Sequence, residues 1–187
     1  MTLEEMKKKY LSLIEELNPL SEYLTDDPDI QAKINEVINQ IIYELARFKK
    51  IPKYVEMEVS EGDLIEFADI EEAVGSEVYQ IDVVYGVRYV PRASGTVLKI
   101  LESGTAEINC FVYPERITEK TKDKAYEFEL SADALEIAPY GIAADLLKSD
   151  VSTEYGSIYA ARYQEMIQRL DSRYSMGSFY IDGGVSI

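Results

Sequence analysis

The chain contains no histidine, no tryptophan and a single cysteine. Without histidine there can be no HExxH zinc site, no histidine-based triad and no imidazole proton shuttle. One cysteine, Cys110, excludes an intrachain disulfide and any CxxC zinc or redox pair. It sits in an alternating apolar segment, where a buried and inert thiol is expected. Positive charge is also scarce: 19 Lys+Arg stand against 35 Asp+Glu, a formal net charge of −16. That balance argues against an electrostatic grip on nucleic acid, which needs clustered cations to displace counterions. It still permits a duplex to slide past without sticking. No apolar run is long enough to span a membrane. The start, Met1 to Lys9, places acids where a signal peptide has none and lacks its apolar region, so a cytoplasmic beginning is expected; a lone thiol persists there. GxSxG, P-loop and GxGxxG motifs are all missing, and Gly183-Gly184 is the only glycine pair.

What is present suffices for a packed core. A chain of 187 residues with 47% apolar content can bury about 70% of its unfolded surface without a disulfide or metal. Thr2 and Glu5 have capping-box spacing. Met6, Tyr10, Leu13, Ile14 and Leu17 then form one helical stripe, ended by Asn18-Pro19. Asp27 suits an N-cap and Pro28 a first helical position; this favours capping over calcium binding for Asp26, Asp27 and Asp29. Ile30, Ile34, Val37, Ile38, Ile41, Leu45 and Phe48 predict a longer helix, stopped by Pro52.

From Tyr54 the period changes to two. Val55, Met57 and Val59 alternate with Glu56, Glu58 and Ser60, as on a half-buried strand. Further strands are expected at Glu77–Val84, Val87–Val90, Thr96–Leu101, Ala106–Tyr113 and Tyr126–Leu130, with glycine-containing turns between. After Ser131 the helical period returns. Ala132–Glu136 reads as a short turn, Pro139 as the start of a new helix, and Tyr155 to Leu170 as a final helix. The expected fold is α+β: terminal helices (1–53 and 131–174) forming a helical domain, an inserted antiparallel β-sandwich or barrel (54–130), and an extended tail (175–187).

Two features suggest surfaces. No Lys or Arg lies between Lys53 and Arg88, a stretch holding Glu56, Glu58, Glu66 and Glu71 among ten acids. Such a stretch makes a solvated sheet edge, or a surface that repels DNA or meets a basic partner. The tail is apolar and nearly uncharged. Its Phe179, Tyr180, Ile181 and Val185 would anchor on another chain's sheet edge or in a groove, or pack on their own domain. The fifteen tyrosines suit both cores and interfaces.

The C-terminal third adds a resemblance. Ala138 to Asp150 reads P-Y-G-I-A-A-D-L-L-K-S-D from Pro139, and Tyr155 to Leu170 follows as a tyrosine-striped helix. This pair resembles the head–tail connector (adaptor, or neck) proteins of tailed bacteriophages. Val112 to Thr121 is similar to the stretch preceding it in members with a β insertion. The resemblance covers mainly residues 106 to 187. It implies a structural subunit with no cofactor and no catalytic role. Copies would form a ring, commonly dodecameric, below the portal protein. The ring would extend the DNA channel and dock the next neck or tail protein, with its place in the virion neck and, during assembly, in the host cytoplasm. A β-sandwich module binding carbohydrate or another ligand, with helical oligomerisation arms, is the alternative; a small enzyme using paired carboxylates is a third reading.

Overall fold

The computed structural model describes residues 1–22, 24–149 and 154–174. Helix α1 (Leu3–Leu13) opens with the expected reciprocal cap: Glu5 N–H donates to Thr2 Oγ1, and Thr2 N–H to the Glu5 carboxylate. It ends before the expected Asn18-Pro19 boundary. Glu15 is left-handed (φ 62°), and Glu16 N–H reaches back to the Leu11 carbonyl at 2.9 Å. This bond terminates a helix wherever the chain turns left-handed. Helix α2 (Pro28–Phe48) starts where Asp27 accepts from the Asp29 and Ile30 amides. Its stripe buries Ile34, Val37, Ile38, Ile41 and Leu45.

The strands form two three-stranded antiparallel sheets. One joins β1 (Ile51–Val59), β6 (Gly104–Val112) and β3 (Val78–Tyr85) in the order β1-β6-β3. The other joins β2 (Leu64–Glu66), β5 (Val97–Ile100) and β4 (Tyr89–Arg92) in the order β2-β5-β4. The expected closed barrel does not form, because no ladder links the two sheets among the described residues. Pro52 lies within β1, opposite Phe111, on an edge strand where its missing N–H costs no ladder bond. A helix not anticipated from the sequence, α3 (Phe67–Val74), connects β2 to β3 and ends at Gly75 (φ 69°).

Tyr126–Leu130 is not a strand. Only an isolated bridge, Thr2 to Glu127, pairs it. Tyr126, Phe128 and Leu130 are buried alternately, and the Tyr126 carbonyl accepts from Leu3 N–H. The segment thus has a strand's alternation but lies against the N-terminus.

Helix α4 (Ala132–Leu146) runs unbroken through Pro139, correcting the expected break. Proline removes one donor, that to the Leu135 carbonyl. Burial of Ala134, Leu135, Ile137, Ala138, Ile142 and Ala143 outweighs that loss. Helix α4 packs most extensively on α5 (Tyr155–Tyr174), then on α2 and α1. Gly141 permits the closest approach: a Cβ there would stand 2.7 Å from the Tyr163 ring. The stripe of α5 buries Tyr163, Ile167 and Leu170. Tyr155 and Ile158, expected in that stripe, are instead 60% and 54% exposed.

Helices and sheets share one continuous core. Leu3, Ile38 and Ile142 belong to the same buried cluster as Ala106, Ile108 and Val112 of β6.

Candidate functional site

Strand β1 carries its acids on the face away from this core. Val55, Met57 and Val59 turn inward while Tyr54, Glu56 and Glu58 are exposed, as the pleat requires. Register with β6 sets Pro52 opposite Phe111, Tyr54 opposite Asn109, Glu56 opposite Glu107 and Glu58 opposite Thr105. Strand β3 adds Gln80 beside Phe111, Val83 beside Asn109 and Tyr85 beside Glu107. The outward face is therefore a grid of rows with Phe111 at one end and Glu107 and Thr105 at the other.

The acidic end has neutral partners only. Tyr54 Oη donates to Glu56 Oε1 at 2.6 Å, and Thr105 Oγ1 to Glu58 Oε1 at 2.6 Å. Glu56, Glu58 and Glu107 take part in none of the ion pairs of the described residues. The hydrogen bond to Glu56 pushes the Tyr54 phenol up to about 12. Glu66 is exposed on β2, as the sequence suggested. Glu71 is not part of an open acidic surface: it is half-buried, and its carboxylate accepts from Val78 N–H at 2.9 Å, tying α3 to β3.

Two cations hold the opposite end. Lys50 Nζ lies 4.3 Å from the Phe111 ring centroid and donates to Gln80 Oε1 at 3.2 Å. Arg47 donates to the Tyr113 hydroxyl through both Nε and Nη2. The Tyr113 ring stacks in parallel on Tyr43, with centroids 4.4 Å apart. The sequence did not single out Lys50, Arg47 or Glu107. The alternation around Ala106 and Ile108 placed Glu107 outward, but its partner Glu56 is set by strand register.

A second surface lies among the helices. Leu13, Ile14, Ile30, Leu147 and Tyr159 line an open groove of about 490 Å³, with Tyr155 at its wall. Tyr159 Oη donates to the Leu13 carbonyl at 2.6 Å, fixing α5 to the end of α1.

Several polar and ionisable groups are engaged within the fold. Asn39 clamps Ile117, donating to its carbonyl and accepting from its amide, both at 2.8 Å. Cys110 is buried, and burial pushes its thiol up. Glu4, bonded by Lys8, and Asp133, bonded by Ser131, are held below the usual carboxylate range, the opposite of what a general acid requires. Among the described residues no group of three or more His, Cys, Asp or Glu is placed to hold a metal, and no helix is long and apolar enough to cross a membrane. The tail anchors Phe179, Tyr180, Ile181 and Val185 lie outside the described residues. No family model and no curated protein matches the chain.

Proposed function

We propose that this protein is a structural subunit of a bacteriophage neck. Copies form a dodecameric ring below the portal protein, extend the DNA channel and dock the next neck or tail protein. The subunit acts without a cofactor, in the virion and, before that, in the host cytoplasm. The α4–α5 pair carries this reading. It holds the residues of the resemblance, and the start of α5 leaves Tyr155 and Ile158 more than half exposed, Tyr155 at the wall of an open groove. Apolar side chains left out at the edge of a helix pair suit assembly with another protein. The acidic face of β1 and β6 supports the same role, because a passing duplex would be repelled and not held. The tail from 175 to 187 supplies portal anchors, which bind weakly alone and gain by repetition around a ring.

Deleting residues 175–187 tests the docking role. The shortened protein should melt as the full chain does and fail to co-sediment with purified portal. Loss of the fold, or undiminished docking, would place the tail in the body of the subunit.

A further inference from the structure

We propose that the outward face of β1, β6 and β3 is a contact between two copies of this chain, related by a two-fold axis near the Tyr54–Asn109–Val83 row. The face is electrically polarised. At one end Glu56 and Glu107 stand directly opposite each other on paired strands, an arrangement that costs stability. Neither is relieved by an ion pair among the described residues. Glu58 extends the same end.

Beyond the Phe111 row stand Lys50 and Arg47. Both are held by aromatic rings and neutral oxygens, those of Gln80 and Tyr113, and neither has a carboxylate partner among those ion pairs. Aromatic faces orient a cation while leaving its charge available. Within one copy the two ends cannot meet: Phe111 and Glu107 are four residues apart on a strand, about 13 Å. Turned about a two-fold axis, each cationic end covers the other copy's acidic end, and every such pair is made twice.

Tyr54, 51% exposed, lies between the ends, and Tyr85, 56% exposed, stands beside Glu107 in the acidic row; their rings supply the contacts that interfaces favour. The net charge of −16 opposes self-association in general, so the pairing has to rest on these facing opposite charges. Three strands offer less than the roughly 800 Å² per partner of a stable dimer, so the isolated pair is weak. A two-fold contact does not propagate around a ring, and it covers the acidic face that the neck reading leaves open to the duplex; the inference therefore does not rest on the neck reading and gives that face a different use.

Sedimentation equilibrium of the full chain, up to about 1 mM to reach weak affinities, tests it. The wild-type protein should show a monomer–dimer equilibrium. Lys50→Glu and Glu56→Lys should each weaken it at least about tenfold, since each reversal removes the charge contact at both of its symmetric positions. An equimolar mixture of the two variants should restore dimers, because each variant supplies what the other lacks. Glu56→Lys also relieves the repulsion with Glu107, so its monomer should melt no lower than wild type. Arg47→Glu repeats the test if Lys50→Glu does not fold. Absence of wild-type dimers, insensitivity to both charge reversals, or failure of the mixture to restore pairing would overturn the proposal. Rings whose formation ignores both reversals would sustain the neck reading while removing this one.

Discussion

At position 15 the chain turns left-handed, φ 62°, with a glutamate where glycine carries no steric penalty. Glu15→Gly should therefore stabilise the protein by about 0.5–1 kcal/mol, measured by urea unfolding; an unchanged or lower midpoint would show that the Glu15 side chain makes a compensating contact. Asp133 gives the opposite kind of prediction. It pairs with Lys49 at 3.1 Å across the start of α4 and the end of α2, and the Ser131 hydrogen bond, with Lys49, holds its carboxyl low. A carboxyl depressed in the folded state stabilises above the unfolded pKa, near 3.8, and loses that contribution as pH falls through the folded value. Asp133→Asn should cost about 0.5–1 kcal/mol at pH 7, since the pair is half-buried but still screened by solvent, with the difference closing in acid. A pH-independent difference would mean that Asn disturbs packing instead. Single-residue signals of this kind were partly legible in the sequence. The Thr2–Glu5 box and the Asp27-Pro28 start act within a few residues of chain. The end of α1 was not, because a left-handed glutamate carries no compositional mark.

Elements were legible where burial is periodic and partners are local. The alternation of Val55, Met57 and Val59 located β1, and the stripe from Ile34 to Leu45 located α2. Pro139 misled the reading of α4. A proline costs a helix one bond and a local clash, and whether the helix survives depends on how much apolar surface its flanks bury. Tyr126–Leu130 misled in another way: alternation reports burial, whereas a strand also needs a ladder, and only Thr2 pairs there. Helix α3 did leave signals in the sequence, Phe67, Ile70 and Val74 at helical spacing with Gly75 behind them, but it is shorter than most helices that periodicity resolves. The contact between α4 and α5 depends on Gly141. Gly141→Ala should destabilise by about 1–3 kcal/mol, although alanine is the better helix former by about 1 kcal/mol. The new Cβ would meet the Tyr163 ring, whose hydroxyl donates to Glu44 at 2.9 Å. Adding Tyr163→Leu should make the two changes cost less together than their sum. Strict additivity in thermal melts would place the close approach elsewhere.

At the scale of the molecule, the proposed function rests on charge and assembly. Most of the acidic surface was legible from the stretch lacking Lys and Arg. Its arrangement was not, since strand register sets Glu56 against Glu107 and helix α3 withdraws Glu71 to its junction with β3. The exposed acids Glu56, Glu58 and Glu66 should keep duplex DNA from adhering. Replacing all three by Lys should create salt-dependent duplex binding that the natural chain lacks, measured by fluorescence anisotropy; binding by the natural chain at physiological salt would contradict a channel role. The tail anchors were nameable only as apolar residues in a weakly charged segment, and the groove by Tyr155 emerged only once α4 and α5 were set together. The neck reading is tested most directly by the mass of the complex that the full chain forms with purified portal protein, measured by native mass spectrometry and viewed by electron microscopy. The account predicts a closed ring of subunits stacked coaxially on the portal. A chain that stays apart from the portal at all concentrations, or binds it as scattered monomers without closing a ring, would contradict it.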